Sequence, residues 1–188
     1  IVDHPALDAV RKGVEDELKA QGWQAGKNLK YQYQSAQGNA ATAGQIVRKF
    51  IGDKADAIVA IATHSAQAAA AATSSVPIVF SAVTDPVAAK LVKDLKAPGG
   101  NVTGVSDRLP LAPQVDLMLK VVPTAKRVGI VYSPGEINST ILIKELKAVL
   151  AQRGMTLVSA AAPRTIDVQA ATKSLVGKVD LIYSSTDN

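Results

Sequence analysis

The stretch Ala57-Ile58-Val59-Ala60-Ile61-Ala62, followed at once by Thr63-His64-Ser65, sets the fold class. Six apolar residues in a row, without alternation, suit a strand covered on both faces, as in a parallel sheet. The polar triplet behind them is where such a strand ends and a helix begins. The same grammar recurs downstream. Pro77-Ile78-Val79-Phe80-Ser81 predicts a second buried strand, and Thr84-Asp85-Pro86 behind it predicts the opening of a short helix. Pro98-Gly99-Gly100 marks a turn before a strand over residues 101–106.

Outward from this centre, strands and helices alternate. Residues 5–21 predict a helix, with Pro5 in its first turn, an apolar face of Ala6, Leu7, Val10, Val14 and Leu18, and Gly22 at its end. Residues 28–34 alternate around Leu29, Tyr31 and Tyr33 and predict a strand covered on one side. Helices follow over 39–50 and 65–73, then over 111–122, 139–152 and 167–175; strands are expected over 127–132, 156–161 and 179–183. Strand–helix alternation implies right-handed crossovers and parallel sheets. The fold class is therefore α/β, with Rossmann-like, doubly wound lobes.

Lys54-Ala55-Asp56-Ala57-Ile58-Val59 and Lys178-Val179-Asp180-Leu181-Ile182-Tyr183 echo each other as a polar lead-in to a buried strand, which suggests one α/β unit used in two lobes. Residues 1–107 are expected to form the first lobe, 108–185 part of a second, and 186–188 the start of a crossover back. Both ends read as truncated: Ile1-Val2 precedes a helix as the last residues of a strand would, and Asn188 lies one loop beyond a strand.

Composition narrows the function. Lys and Arg number 21 against 16 Asp and Glu, a net charge of +5, but the basic residues are scattered and interleave with no aromatics. That describes a solvated surface and not a nucleic-acid face. With no cysteine, disulfides, thiolate zinc sites and thiol catalysis are excluded. No apolar stretch approaches the roughly 18 residues of a membrane span.

In open α/β sheets a ligand sits beyond the carboxyl ends of the strands. The candidates there are His4; Thr63, His64 and Ser65; Val83, Thr84 and Asp85; Asp107; Glu136, Asn138 and Ser139; and Thr186, Asp187 and Asn188. Thr63 to Ser65 either present helix N–H groups to an anion or simply cap the helix. Asp85 either caps or faces an ammonium group. Asp107 is a hinge residue or a ligand contact. His4 and His64 lack a third metal ligand at a known spacing. No nucleophile elbow, Walker loop or dinucleotide fingerprint is present, so no cofactor, metal or catalytic residue is expected.

Five strings carry a family resemblance when taken in order: His4-Pro5-Ala6-Leu7-Asp8, Ala62-Thr63-His64-Ser65-Ala66-Gln67-Ala68, Phe80-Ser81-Ala82-Val83-Thr84-Asp85-Pro86-Val87, Pro98 through Asp107, and Ser184-Ser185-Thr186-Asp187-Asn188. Together the chain resembles the solute-binding lipoproteins of ABC importers in the tryptophan/tyrosine-binding group. The resemblance implies a type I periplasmic-binding-protein fold of two lobes closing by a hinge on a small zwitterion, an aromatic amino acid above all. It implies partnership with a membrane permease and an ATPase, and a periplasmic or cell-surface location through a lipid anchor outside this sequence. It places loops 63–65 and 83–85 as first-lobe contacts, and 136–139 and 186–188 as second-lobe or hinge-side contacts. His64 stands where the family pattern leads one to expect a smaller or different residue. Two other classes remain open from the residues: the effector-binding domain of a LacI-type transcription regulator, which shares this fold, and an α/β enzyme using His4 or His64 as a base.

Overall fold

The computed structural model describes residues 4–185. The expected strand at Ile1-Val2 and the expected contacts Thr186, Asp187 and Asn188 lie outside the described residues. The chain divides into two compact units, Ile1–Arg108 and Leu109–Asn188.

The first unit contains α1 (Pro5–Ala20), α2 (Ala40–Gly52), β1 (Ile58–Ile61), α3 (Thr63–Ala72), β2 (Ile78–Val83) and β3 (Val102–Ser106). The strands pair in parallel in the order β1-β2-β3. One sheet face is aliphatic: Ile58, Ala60, Ile78, Phe80 and Val102 join Val47 of α2 and Ala66 and Ala69 of α3 in a single buried cluster. Each fully buried Ile, Val or Phe of this kind contributes about 1.5–3 kcal/mol. The other face is thinly covered. Val59, Val79 and Val105 are 42%, 39% and 68% exposed, and α1 has no fully buried residue. A cavity of about 540 Å³ is lined by Val10, Gly13, Val14, Leu18 and Trp23 together with Ser81 of β2.

β2 outruns its expected end by two residues through a bulge. Phe80 pairs with Gly104 and Val83 with Ser106, so β2 uses one residue more than β3, and Ala82 takes up the excess at φ 53°. Next to it, Gly104 has no room for a side chain: a Cβ would lie 2.0 Å from the Phe80 carbonyl oxygen and 2.6 Å from its ring.

Two expectations fail in this unit. Residues 28–34 form no strand; their only pairing is an isolated bridge between Ala25 and Leu29. Alternation gives a strand only where a neighbour offers a ladder, and among the described residues β1 pairs with β2 alone. The tyrosines lie against α1 instead. The Arg11 guanidinium lies 4.8 Å from the Tyr33 ring centre, and burial, helped by a hydrogen bond to Glu15, pushes the Tyr31 phenol up to about 12. Nor does Thr84-Asp85-Pro86 open a helix. Asp85 Oδ1 accepts from the Ala88 N–H at 2.9 Å, its carbonyl accepts from Ala89, and the turn stops where Lys90 adopts φ 59°.

The second unit contains α4 (Leu111–Val121), β4 (Arg127–Tyr132), α5 (Ile137–Ala151), β5 (Thr156–Ala161), α6 (Val168–Leu175), preceded by one 3₁₀ turn, and β6 (Leu181–Tyr183). Its strand order is β5-β4-β6, all parallel, with β4 central. Val115, Val128, Ile130, Leu146 and Leu150 are completely buried in its core. A polar clamp ties the starts of β4 and β6 together. The Asp180 carboxylate accepts from the Lys126 and Arg127 N–H groups and from the Arg127 guanidinium, each at 2.8 Å. These bonds hold its carboxyl well below the usual range.

Two predictions follow from these contacts. Gly104→Ala should lower the unfolding free energy by about 2 kcal/mol or more in urea titrations, while Gly100→Ala, which meets nothing within 4 Å, should stay within about 0.5 kcal/mol. A carboxyl depressed in the folded state stabilises fully above its unfolded value, near 3.9, and loses that contribution as pH falls. Asp180→Asn should therefore melt at a lower temperature than the parent at neutral pH, and the gap should close as the pH is taken below about 4.

Candidate functional site

Parallel pairing brings all three strand ends of the first unit to one edge. The Ala62 N–H donates to the Ser81 carbonyl at 2.9 Å, Asp107 N–H to the Val83 carbonyl at 3.3 Å, and the Ser106 hydroxyl to the Thr84 carbonyl at 2.9 Å. Loops 63–65, 83–85 and 106–107 are thus neighbours, as their sequence positions implied.

The α3 terminus differs from the capping alternative. The helix starts at Thr63, two residues earlier than the pattern suggested, and its N-cap is Ala62, with no side-chain cap. Thr63 and Ser65 therefore sit within the first turn and do not cap it. A helix cannot bond its first N–H groups internally, and no acidic residue occupies this first turn. What remains is a positive helix end equivalent to roughly half a charge. Thr63 is buried beneath it.

Ala62 adopts φ 72° and ψ 157°, a region almost reserved for glycine and costing about 1–3 kcal/mol elsewhere. With Ala82 at φ 53°, two adjacent parallel strands carry left-handed alanines at the edge where the loops gather. Backbone strain of this kind clusters at ligand sites.

Asp85 is already engaged: Oδ1 holds the Ala88 N–H, and Oδ2 lies 3.5 Å from Arg108 Nη1. Arg108 escaped the sequence reading, although it adjoins Asp107. One Asp107 oxygen is buried without a hydrogen-bond partner. Val83 is completely buried and supports the edge from below. His4 is the N-cap of α1, its Nδ1 accepting from the Ala6 N–H at 3.2 Å. The Nδ1 lone pair of His4 thus caps the helix.

In the second unit, Glu136, Asn138 and Ser139 meet at the start of α5, beyond the end of β4. Glu136 is the N-cap residue, but its side chain makes no capping bond. All three are buried, with Asn138 and Ser139 only 4% and 3% exposed. Asn138 Nδ2 donates to Glu136 Oε2 at 3.1 Å, while Asn138 Oδ1 and Ser139 Oγ are buried without partners among the described residues. Ser185 Oγ, just beyond β6, is in the same condition. Ser185 is not among the expected contacts, although it lies in the polar loop that the strand pattern pointed to. A buried polar atom without a partner costs about 1–3 kcal/mol, so three at one sheet edge imply a role outside folding. Among the described residues no group of His, Asp or Glu is arranged to hold a metal.

Two parallel-sheet units, each with polar groups gathered at its carboxyl edge, fit a ligand-binding protein. Residues 1–188 match the family model of ABC transporter substrate binding proteins, and the chain belongs to that family, a family of binders and not of enzymes. It is 42% identical, over its whole length, to the tyrosine-binding protein of Clostridioides difficile, and covers 54% of that relative. Among solved structures it is similar to a conserved domain protein from Vibrio cholerae, at 52% identity and a TM-score of 0.98, covering all of this chain and 64% of the other. An ABC domain from Streptococcus pneumoniae in complex with L-Trp aligns at 37% identity and a TM-score of 0.96, with 100% and 63% covered. The chain thus spans somewhat more than half the length of these relatives. The fold is that of type I periplasmic binding proteins, as the resemblance implied.

Replacing Ala62 by Gly removes the strain while adding unfolded-state entropy. The net expectation is a gain of about 1 kcal/mol in urea unfolding.

Proposed function

We propose that this protein is the extracytoplasmic solute-binding component of an ABC importer and that it binds an amino acid with an aromatic side chain. The observation that carries this reading is the α3 N-terminus, without a side-chain cap or an acidic residue in its first turn. It suits an α-carboxylate, a group that every amino acid presents and that helix N-termini favour. The aromatic class rests on relatives whose names refer to tyrosine and L-Trp.

On this reading Thr63, His64 and Ser65 receive the carboxylate. Thr84 and Asp107 line the same edge, with Val83 and Asp85 holding its shape. Glu136, Asn138 and Ser139 supply the second unit's contacts, and Thr186, Asp187 and Asn188 begin the return crossover. The two units close on the ligand by a hinge, because the ligand has higher affinity for the closed state than for the open one. A permease and an ATPase receive the cargo, and a lipid anchor outside this sequence holds the binder at the membrane.

Thermal unfolding against a panel of amino acids tests this. At a hundred times its dissociation constant a ligand adds about 2.7 kcal/mol, so L-tryptophan or L-tyrosine should raise the melting temperature. Tryptamine and tyramine, which lack the carboxylate, should not. An unchanged melting temperature with every amino acid would overturn the proposal.

A further inference from the structure

The chain passes from the first unit to the second at Arg108 and Leu109, and the residues on either side of that step are held. On the first unit's side the Arg108 N–H donates to the Ser106 hydroxyl oxygen at 3.1 Å, and that hydroxyl donates in turn to the Thr84 carbonyl at 2.9 Å. The Arg108 guanidinium adds an ion pair with Asp85 at 3.5 Å. The backbone is thus tied to the end of β2 as far as the Arg108 nitrogen.

On the second unit's side Pro110 is the N-cap residue of α4, and its ring fixes it at φ −67°. Gln114 Nε2 donates to the Pro110 carbonyl at 3.1 Å, while Gln114 Oε1 accepts from the Tyr183 hydroxyl at 2.7 Å. One amide therefore ties the start of α4 to the end of β6. Glutamine suits this post because it carries a donor and an acceptor on the same group.

Between the two clamps stands Leu109. It is 59% exposed, and no hydrogen bond among the described residues involves its backbone. The peptide that follows it has no N–H to lose, because residue 110 is proline. Rotation here breaks none of these bonds, whereas rotation at Asp107 or within the first turn of α4 breaks a clamp. We propose that Leu109 is the pivot of this connection, and that Ser106 and Gln114 are positioning residues that confine the motion to it. The assignment rests on the closure of the two units proposed above, and adds where this connection turns and what limits it.

Small-angle X-ray scattering of the intact protein, with and without L-tryptophan, reads closure as a fall in the radius of gyration, and calorimetry gives the affinity. Glycine at the pivot admits left-handed conformations. Leu109→Gly should therefore widen the difference between the two radii and weaken L-tryptophan roughly 2- to 5-fold, with an unchanged urea midpoint. Leu95→Gly, at a loop residue 65% exposed, should change neither. Gln114→Ala should act as Leu109→Gly does. So should Gln114→Glu, since a carboxylate keeps the Tyr183 bond and loses the one to Pro110. If the parent compacts and Leu109→Gly matches it in both readouts, or if the Gln114 variants lose affinity only in step with their urea midpoints, the assignment is overturned and closure stands. A parent whose radius no amino acid changes would overturn closure and this assignment together.

Discussion

The constraint on which this molecule depends is the parallel pairing of short, fully apolar strands. A strand such as Ile58–Ile61 can be buried only if its backbone groups are paired on the ladder, and parallel neighbours require the chain to cross back between them. Every crossover returns the chain to the same starting edge, so every strand ends on the opposite one. In the first unit β1, β2 and β3 all end where Ala62, Val83 and Ser106 lie, and hydrogen bonds tie these ends together. In the second, β4 ends just before Glu136, and β6 just before Ser185. The hydrophobic core thus decides where the polar chemistry collects.

Close packing at that edge sets its geometry. Phe80 lies so near Gly104 that no side chain fits there, and one residue beyond Ser81 the strand bulges at Ala82. The bulge and the strained Ala62 turn the chain abruptly, and α3 then begins without the usual capping side chain. A Ser or Thr cap would have satisfied one of the helix's N–H groups internally; alanine offers no such bond. The second unit reaches a comparable result by different means, since at α5 the unsatisfied atoms belong to side chains. In both units local stability is given up where binding is expected to restore it.

Much of this was legible in the sequence. The alternation of unbroken apolar runs with amphipathic segments defines the α/β class, and the runs around Val79, Ile130 and Val158 are strands in the structure. Residues 28–34 misled because alternation reports which side chains prefer burial and cannot report whether a neighbouring strand is there to pair. Asp85 misled for a local reason: the signature of a helix start also fits a single turn, and only the left-handed Lys90 distinguishes them. Candidate site residues could be found because they follow strands. The strain at Ala62, the missing cap and the unpaired Asn138 oxygen are invisible in one dimension, because each depends on what a group fails to touch. Ser185 was overlooked for the same reason, and Arg108 because its ion pair with Asp85 joins positions far apart in sequence.

The central claim is that the carboxyl edge of the first unit's sheet receives the carboxylate of an amino acid. A crystal structure of the protein with L-tryptophan tests it most directly. The account predicts the ligand carboxylate within hydrogen-bonding distance, about 3 Å, of the backbone N–H groups at Thr63 to Ser65. A ligand bound in the reverse orientation, or away from these strand ends, would contradict it.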